Sequence, residues 1–456
     1  AELCDSVLDR SDSAQRLAEL EQSNFFILRL ERQQWFRVHA LFAQFAAARA
    51  SHQPGAVAEI HRRAASWLRA HGLVTEAIEH AAAAGDHEVV ADLLAEYDWP
   101  LIRAGRYATL LRWTKTLPDE CLVDHPELTA AAAAAATLIG GAAIERRRYL
   151  GLASRSSAER PARFGDYERA VVMMVRACAV DSGVEAAVAD GHEAVELARA
   201  TADDIVVVAS AALAEAAYFA GDLETAWSAA SNACEDPDAP RQLPGYALAR
   251  SMLALIAADR GWLGSARRHA DEARAIVGRI TCSRSWLGAH AAVALGAVLD
   301  ADGDLGGAER EFSYAERFFQ DDLATIHHAH LLVRLADVRR RRGRLDEADA
   351  TMIQVHEALD ELADCGVVPA RAAAVERDLK QARQQASRGE VLQPPSAAEL
   401  AVLRLLGSDL SAREIADELF LSPNTIRSHT RALYRKLGVS SRSDAVARAT
   451  AVGLLG

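Results

Sequence analysis

Lysine is almost missing from this 456-residue chain, which has only Lys115, Lys380 and Lys436. Arginine supplies the other positive charges, and none of the three lysines follows a glycine. The phosphate-cradling GxxxxGK[ST] loop is therefore absent, and with it P-loop nucleotide hydrolysis by these residues. Cysteine is sparse as well. The six (Cys4, Cys121, Cys178, Cys234, Cys282 and Cys365) form no CxxC pair, which excludes a zinc knuckle and a disulfide framework. They read as reduced and mostly buried, an expectation for a cytoplasmic protein. The longest uncharged stretch, 128–144, is dominated by alanine and glycine. It is short and weakly apolar for a membrane span and predicts a buried helix, with no membrane partner. Glu2, Asp5 and Asp9 at the start are unlike a secretory signal. The chain begins with Ala, which leads us to expect a longer polypeptide.

Enzyme signatures are lacking too. No GxSxG or GxGxxG occurs, and His192-Glu193 and His356-Glu357 lack the second histidine of a zincin. His327-His328-Ala329-His330 has no carboxylate at helical ligand spacing and reads as a polar helix face. No catalytic residue, metal or cofactor is expected, and the chain reads as not an enzyme.

Half of the residues are apolar and 25% are charged, a globular composition whose length suggests about three domains. Abundant alanine, leucine, arginine and glutamate favour helix throughout. The net charge of -13 argues against a surface that binds polyanions everywhere, and leaves room for one basic module. Residues 391–456 hold eight basic and six acidic side chains, so the acidity belongs to the preceding 390.

The middle of the chain repeats. Gly221-Asp222-Leu223-Glu224-Thr225-Ala226 recurs as Gly303-Asp304-Leu305-Gly306-Gly307-Ala308 and as Gly343-Arg344-Leu345-Asp346-Glu347-Ala348. Gly261, Leu263 and Ala266 make a fourth copy, with looser ones at Gly183 and Gly72, and the four glycines are 40, 42 and 40 residues apart. Such a unit is a helical hairpin: glycine in the left-handed conformation ends one helix, and Leu and Ala enter the next. Stacked hairpins share a continuous core. The units resemble the tetratricopeptide class in the longer, irregular version of MalT-like bacterial regulators. The resemblance implies a right-handed superhelix whose concave groove takes a small-molecule or protein effector. Trp227, Trp262, Trp286, Tyr218 and Tyr246 are candidates either to line that groove or to pack between helices.

At the N-terminus, Leu17 and Leu20 follow an amphipathic pattern. Strand formers run from Phe25 to Leu30 and again from Trp35 to His39, with a turn at Glu31 to Gln34, before Leu41, Phe42 and Phe45 on another helix. Helices followed by a short hairpin predict a winged helix. Acids and aromatics beside Arg29, Arg32 and Arg37 make it a packing module and not a DNA reader. Ser11-Asp12-Ser13, Leu17 to Leu20, Trp35 to His39, His61 to Trp67 and Glu76 to Ala81 resemble the winged helix of MalT-like regulators of the signal-transduction ATPase class. By that resemblance an ATPase domain precedes residue 1.

The C-terminus carries the most specific signal. Pro394-Pro395 within Gly389 to Ser396 reads as a linker. Ser396 with Glu399, and Ser411 with Glu414, have capping-box spacing. Ser422 and Pro423 open a third helix expected to stop at Gly438, and Ser443 with Asp444 would cap a fourth. Ile426, Thr430, Leu433 and Leu437 form the buried stripe, while Arg427, Ser428, Arg431 and Arg435 share another face. Between Leu419 and Ser443 lie Arg427, Arg431, Arg435, Lys436 and Arg442, and no acid. Arginines on one face of a helix can bridge guanine O6 and N7 or phosphates.

Residues 399–406 and 410–446 closely resemble the LuxR-type DNA-binding domain. Departures are Pro395 for a usual Leu, Ala398 for a usual Arg and Asp409 for a usual Gly. The resemblance implies that Arg427, Ser428 and Arg431 read bases in the major groove, and that Thr425, Asn424 and Lys436 lie near phosphates. It also implies that Glu414 sits in the supporting helix and that the fourth helix, around Ala445 and Ala449, makes a dimer contact.

The expected fold is mainly α: a winged-helix remnant (1–52), a tetratricopeptide-like superhelix (53–390) and a four-helix helix-turn-helix domain (391–456). The expected function is a bacterial transcription regulator whose repeats sense an effector and control the C-terminal domain. Its partners would be double-stranded DNA, a second copy of the chain on that DNA, and RNA polymerase. A repeat scaffold with a non-binding helix-turn-helix domain is the alternative.

Overall fold

The computed structural model describes residues 1–456 except 24–26, 31–34, 51–53, 140–142, 202–204, 281–284, 320–324, 363, 388–394, 409, 438, 440 and 456. The described residues form 25 helices and one two-stranded sheet. The chain divides into two compact units, Ala1–Val172 and Met173–Gly456.

In the first unit, helices Glu2–Leu8 and Ser13–Gln22 precede the hairpin. Strands Ile27–Leu30 and Trp35–Val38 pair antiparallel, with Ile27 opposite Val38 and Leu30 opposite Trp35. Side chains alternate as a strand requires: Ile27 is buried and Leu28 exposed. Phe25, Phe26 and the turn at 31–34 lie outside the described residues. Helices Ala40–Ala50 and Pro54–Ala70 follow. The alanine-rich stretch becomes the helix Pro126–Leu138, buried along nearly its whole length. Methyl side chains let four neighbouring helices approach it closely, so it is core. No helix of the described residues is long and apolar enough to cross a membrane.

The second unit carries the repeats. Its hairpins pair Val206–Ala220 with Leu223–Glu235, Leu243–Asp259 with Leu263–Arg279, Trp286–Ala301 with Leu305–Phe319, and Ile326–Arg341 with Leu345–Asp360. The helix Val368–Ser387 completes the stack. The four repeat glycines all have positive φ, from 75° to 86°, so each ends its helix in the left-handed conformation. Asp222 and Asp304 then cap the second helices, accepting from Thr225 N at 3.0 Å and Gly307 N at 2.8 Å. First helices pack on the first helices of the next hairpin and form a nearly wholly buried inner layer. Second helices bury only one stripe, such as Ala226, Ala230 and Ala233. Gly245 shows how tight the inner layer is: a Cβ there would lie 2.6 Å from the Val208 backbone.

The segment before the last helix folds back on the start of the stack. Asp364 Oδ2 accepts from the amides of Val184 and Glu185 at 2.8 and 3.3 Å, capping the helix Val184–Thr201. Val367 N donates to the Phe219 carbonyl at 2.9 Å. The neighbouring Gly366 passes so close to that carbonyl that no side chain would fit. The inner face of the repeats is thus closed partly by the chain itself.

The C-terminal helices are Ala397–Leu406, Ala412–Glu418, Pro423–Leu437 and Arg442–Ala451. Both capping boxes form, at Ser396 with Glu399 and at Ser411 with Glu414. Phe420, at φ 54°, makes the turn between the second and third helices. Val402, Leu403, Ile415, Ile426, Leu433 and Leu437 pack as one core. The 388–394 part of the linker and the expected helix stop at Gly438 lie outside the described residues.

Candidate nucleic-acid interface

The helix Pro423–Leu437 starts where Ser422 Oγ accepts from Thr425 N at 3.1 Å. Its fifteen residues span about 22 Å at 1.5 Å per residue. Ile426, Leu433 and Leu437 are buried, and Thr430 is half-buried beside them. On the opposite face Asn424, Arg427, Ser428 and Arg431 are exposed together, following the three- and four-residue steps of a helix. Arg427 and Arg431 make no ion pair among the described residues, so their guanidinium groups face solvent. The Arg435 side chain lies outside the described residues. Thr425 is half-buried and bonds through its hydroxyl to Ser422 at 2.7 Å, which makes it part of the cap.

Two of the five basic residues turn inward. Lys436 Nζ donates to Glu399 Oε2 at 2.6 Å, so its charge serves the first helix and not an open phosphate site. Burial pushes the Glu399 carboxyl up, but Lys436 and the Ser396 amide outweigh it and hold the group below the usual carboxylate range. The Arg442 guanidinium donates to the carbonyls of Leu406 at 2.9 Å, Leu410 at 2.6 Å and Ser408. It thereby satisfies acceptors left open where the first helix ends. The positive charge on offer is narrower than the sequence count suggests.

Two other expectations are corrected. The fourth helix is capped by Ser441, whose hydroxyl accepts from Asp444 N at 3.1 Å, and not by Ser443 with Asp444. Ala445 and Ala449 are fully buried in the domain's own core, so their side chains offer no exposed surface for a dimer contact. Their small size lets the fourth helix sit tightly on the first and third. Its exposed face consists of Ser443, Asp444, Ala447 and Thr450.

A second polar concentration lies on the inner layer of the repeats. The Tyr218 hydroxyl donates to Asp259 at 2.7 Å and accepts from Arg334 at 2.9 Å and Arg371 at 2.6 Å. Beside it, His290 Nε2 lies 2.6 Å and His327 Nε2 3.2 Å from Glu215 Oε1. Burial would raise the Glu215 carboxyl, but the two histidines hold it down at about 2. Burial, then Arg334 and Arg371, push His330 well below its ordinary value. A small cavity of about 20 Å³ opens among Glu215, Tyr218, Ser251, His290, His327 and His330.

The expected polar face of His327, His328 and His330 is therefore wrong, because all three are buried. Sequence spacing missed the arrangement since its carboxylate comes from a different hairpin. Of the candidate aromatics, Tyr218 and Trp286 are buried in the inner layer. Trp227 packs edge-on against the exposed Trp262, ring centroids 5.3 Å apart, and Tyr246 lies under the Arg250 guanidinium.

Three helices around one core, a tight turn and an exposed arginine face define a helix-turn-helix domain. Residues 395–449 match the family model for bacterial regulatory proteins of the luxR family, and residues 1–58 match that of the MalT winged helix domain. The C-terminal domain is thus a LuxR-family helix-turn-helix, and a MalT-type winged helix opens the chain. Among solved structures, the chain is similar to a Rap protein complexed with competence and sporulation factor. Identity is 14%, 80% of this chain and 96% of that one are covered, and the TM-score is 0.44. It is also similar to a Signal Transduction ATPase with Numerous Domains protein with a tetratricopeptide repeat sensor from Pyrococcus horikoshii. There identity is 14%, coverage is 83% of this chain and 62% of that one, and the TM-score is 0.43.

Proposed function

We propose that this protein is a sequence-specific, DNA-binding transcription regulator of the bacterial cytoplasm, with its helical repeats as the sensing part. The observation that carries this reading is the exposed face of Asn424, Arg427, Ser428 and Arg431 on the third helix of a LuxR-family domain. Arg427, Ser428 and Arg431 read base edges, and Asn424 and Thr425 at the helix start lie near the phosphate backbone. By its spacing in the sequence, Arg435 belongs with the same group in this reading. Lys436 acts indirectly by holding the first helix through Glu399.

Two copies bind DNA together. Their contact runs through the exposed Ser443, Ala447 and Thr450 side of the fourth helix, with Ala445 and Ala449 supporting it from within. The division into 1–52, 53–390 and 391–456 belongs to this reading, as does recruitment of RNA polymerase. A small molecule or protein that engages the inner layer of the repeats controls presentation of the DNA-binding domain.

Selection of bound sequences from a random DNA library tests the proposal. A recovered consensus, bound with an affinity that falls steeply as salt rises, is expected. Failure to enrich any sequence, with binding unaffected by salt, would favour a protein-binding scaffold instead.

A further inference from the structure

We propose that Glu215, His290 and His327 bind a divalent transition metal ion of the zinc class inside the repeats, leaving one coordination position open to the neighbouring cavity. This goes beyond the DNA-binding reading and does not depend on it.

The three side chains come from three different hairpins: Glu215 from Val206–Ala220, His290 from Trp286–Ala301 and His327 from Ile326–Arg341. One ligand atom from each lies within 4.8 Å of the other two. Around a tetrahedral ion with bonds of about 2.0–2.2 Å, ligand atoms stand roughly 3.3–3.5 Å apart. The separations of 2.6 and 3.2 Å from Glu215 Oε1 need only small side-chain rotations to reach that geometry.

Hydrogen bonding explains why a cation fits. His290 Nδ1 lies 2.8 Å from the Trp286 carbonyl, which can only accept, so Nδ1 carries the proton. In the neutral ring Nε2 then presents a lone pair, and it faces a carboxylate oxygen 2.6 Å away. So close an approach needs a positive charge between the two atoms: a proton on His290, which the Glu215 carboxylate favours, or a metal ion that takes the proton's place. An outward ring N–H bonded to a backbone carbonyl is the usual second-shell support of a metal-bound histidine. Glu215 Oε2 and His327 Nε2 are also buried without a hydrogen-bond partner, which is costly for polar atoms removed from water. His327 approaches the carboxylate off the line a hydrogen bond requires.

The donor set selects the class of ion. Two imidazoles and one carboxylate suit zinc, cobalt or iron better than calcium or magnesium, which prefer oxygen alone. Rings fix the geometry further, with Trp286 4.1 Å from His290 and Phe219 5.1 Å from His327 between centroids. An ion here would tie the first, third and fourth hairpins together, so its binding energy would add to the stability of the stack.

Titration of the full chain with Co²⁺, under reducing conditions and followed by displacement with Zn²⁺, tests this. One equivalent is expected, with visible absorption bands of four- or five-coordinate cobalt. Glu215→Gln should weaken binding at least about tenfold while the helical circular dichroism is retained. Cys121→Ser should change nothing. It removes a ligand from the other group that could hold an ion, Glu88, Cys121 and His125. X-ray absorption of the zinc-loaded wild type should show only nitrogen and oxygen neighbours, a readout independent of any variant's folding. A sulfur neighbour, equal affinity in Glu215→Gln, loss of binding in Cys121→Ser, or no binding at all would overturn the proposal.

Discussion

The repeats and the C-terminal domain use arginine in opposite ways. On the repeats, Arg334 pairs with Asp259 at 2.6 Å, and Arg339, Arg342 and Arg344 converge on the single carboxylate of Glu309. On the helix Pro423–Leu437 Arg427 and Arg431 are exposed and make no ion pair among the described residues. A charge held by an internal partner is already neutralised and adds little to an external field, whereas an unpaired one is available to a phosphate or a base. A chain with net charge -13 can therefore carry a DNA-binding surface, provided its acids are kept off one helix.

Substitutions can break this contrast. The largest effect is expected from Leu433→Ala, which empties a fully buried position in the small C-terminal core. A cost of about 2–5 kcal/mol should lower the melting of this domain and leave the repeat transition in place, read by calorimetry. A single shifted transition would show that the two regions unfold as one. Next, Arg427→Ala and Arg431→Ala should each cost about 1–3 kcal/mol in DNA affinity and relax base preference, measured by fluorescence anisotropy. Arg344→Ala in the repeats should leave that affinity unchanged; equal losses in all three would erase the distinction.

Within the repeats, Gly245→Ala pushes a methyl group into the Val208 backbone and should destabilise the stack by about 1–3 kcal/mol in a denaturant titration. No loss would mean that the inner helices can separate freely. The smallest effect concerns pH. The folded-state Glu399 carboxyl is depressed, so its stabilising contribution is complete above the ordinary carboxylate range. It is lost as pH falls through the folded value. Glu399→Gln should flatten the acid side of the C-terminal domain's stability profile. An unchanged profile would remove Lys436 and Glu399 as its cause.

Much of the fold was legible because its signals are local. Gly221, Gly261, Gly303 and Gly343 announce a left-handed helix end, and each has positive φ. Ser396 and Ser411, each three residues before a glutamate, form both expected capping boxes. The alternation around Ile27 and Leu28, and the apolar steps Ile426, Leu433 and Leu437, likewise concern neighbours within a few residues. Apart from the cap at Ser441, two residues from the expected Ser443, errors arose where a partner is remote. Nothing near Arg442 in sequence reveals that it will bond Leu406 and Leu410. The buried state of Ala445 and Ala449 depends on the first and third helices of the domain.

The sequence by itself determined where helices start and stop, which faces they bury, and that one arginine-bearing helix lies free of acids. Those properties follow from backbone conformation and periodicity, which need only near neighbours. Tertiary structure alone decided which charges remain available. It drew Lys436 and Arg442 inward, returned Asp364 to the helix Val184–Thr201, and placed Glu215 against His290 and His327. Coulombic and hydrogen-bonding partners are chosen by distance in space, and stacking brings together side chains that are 75 and 112 residues apart along the chain.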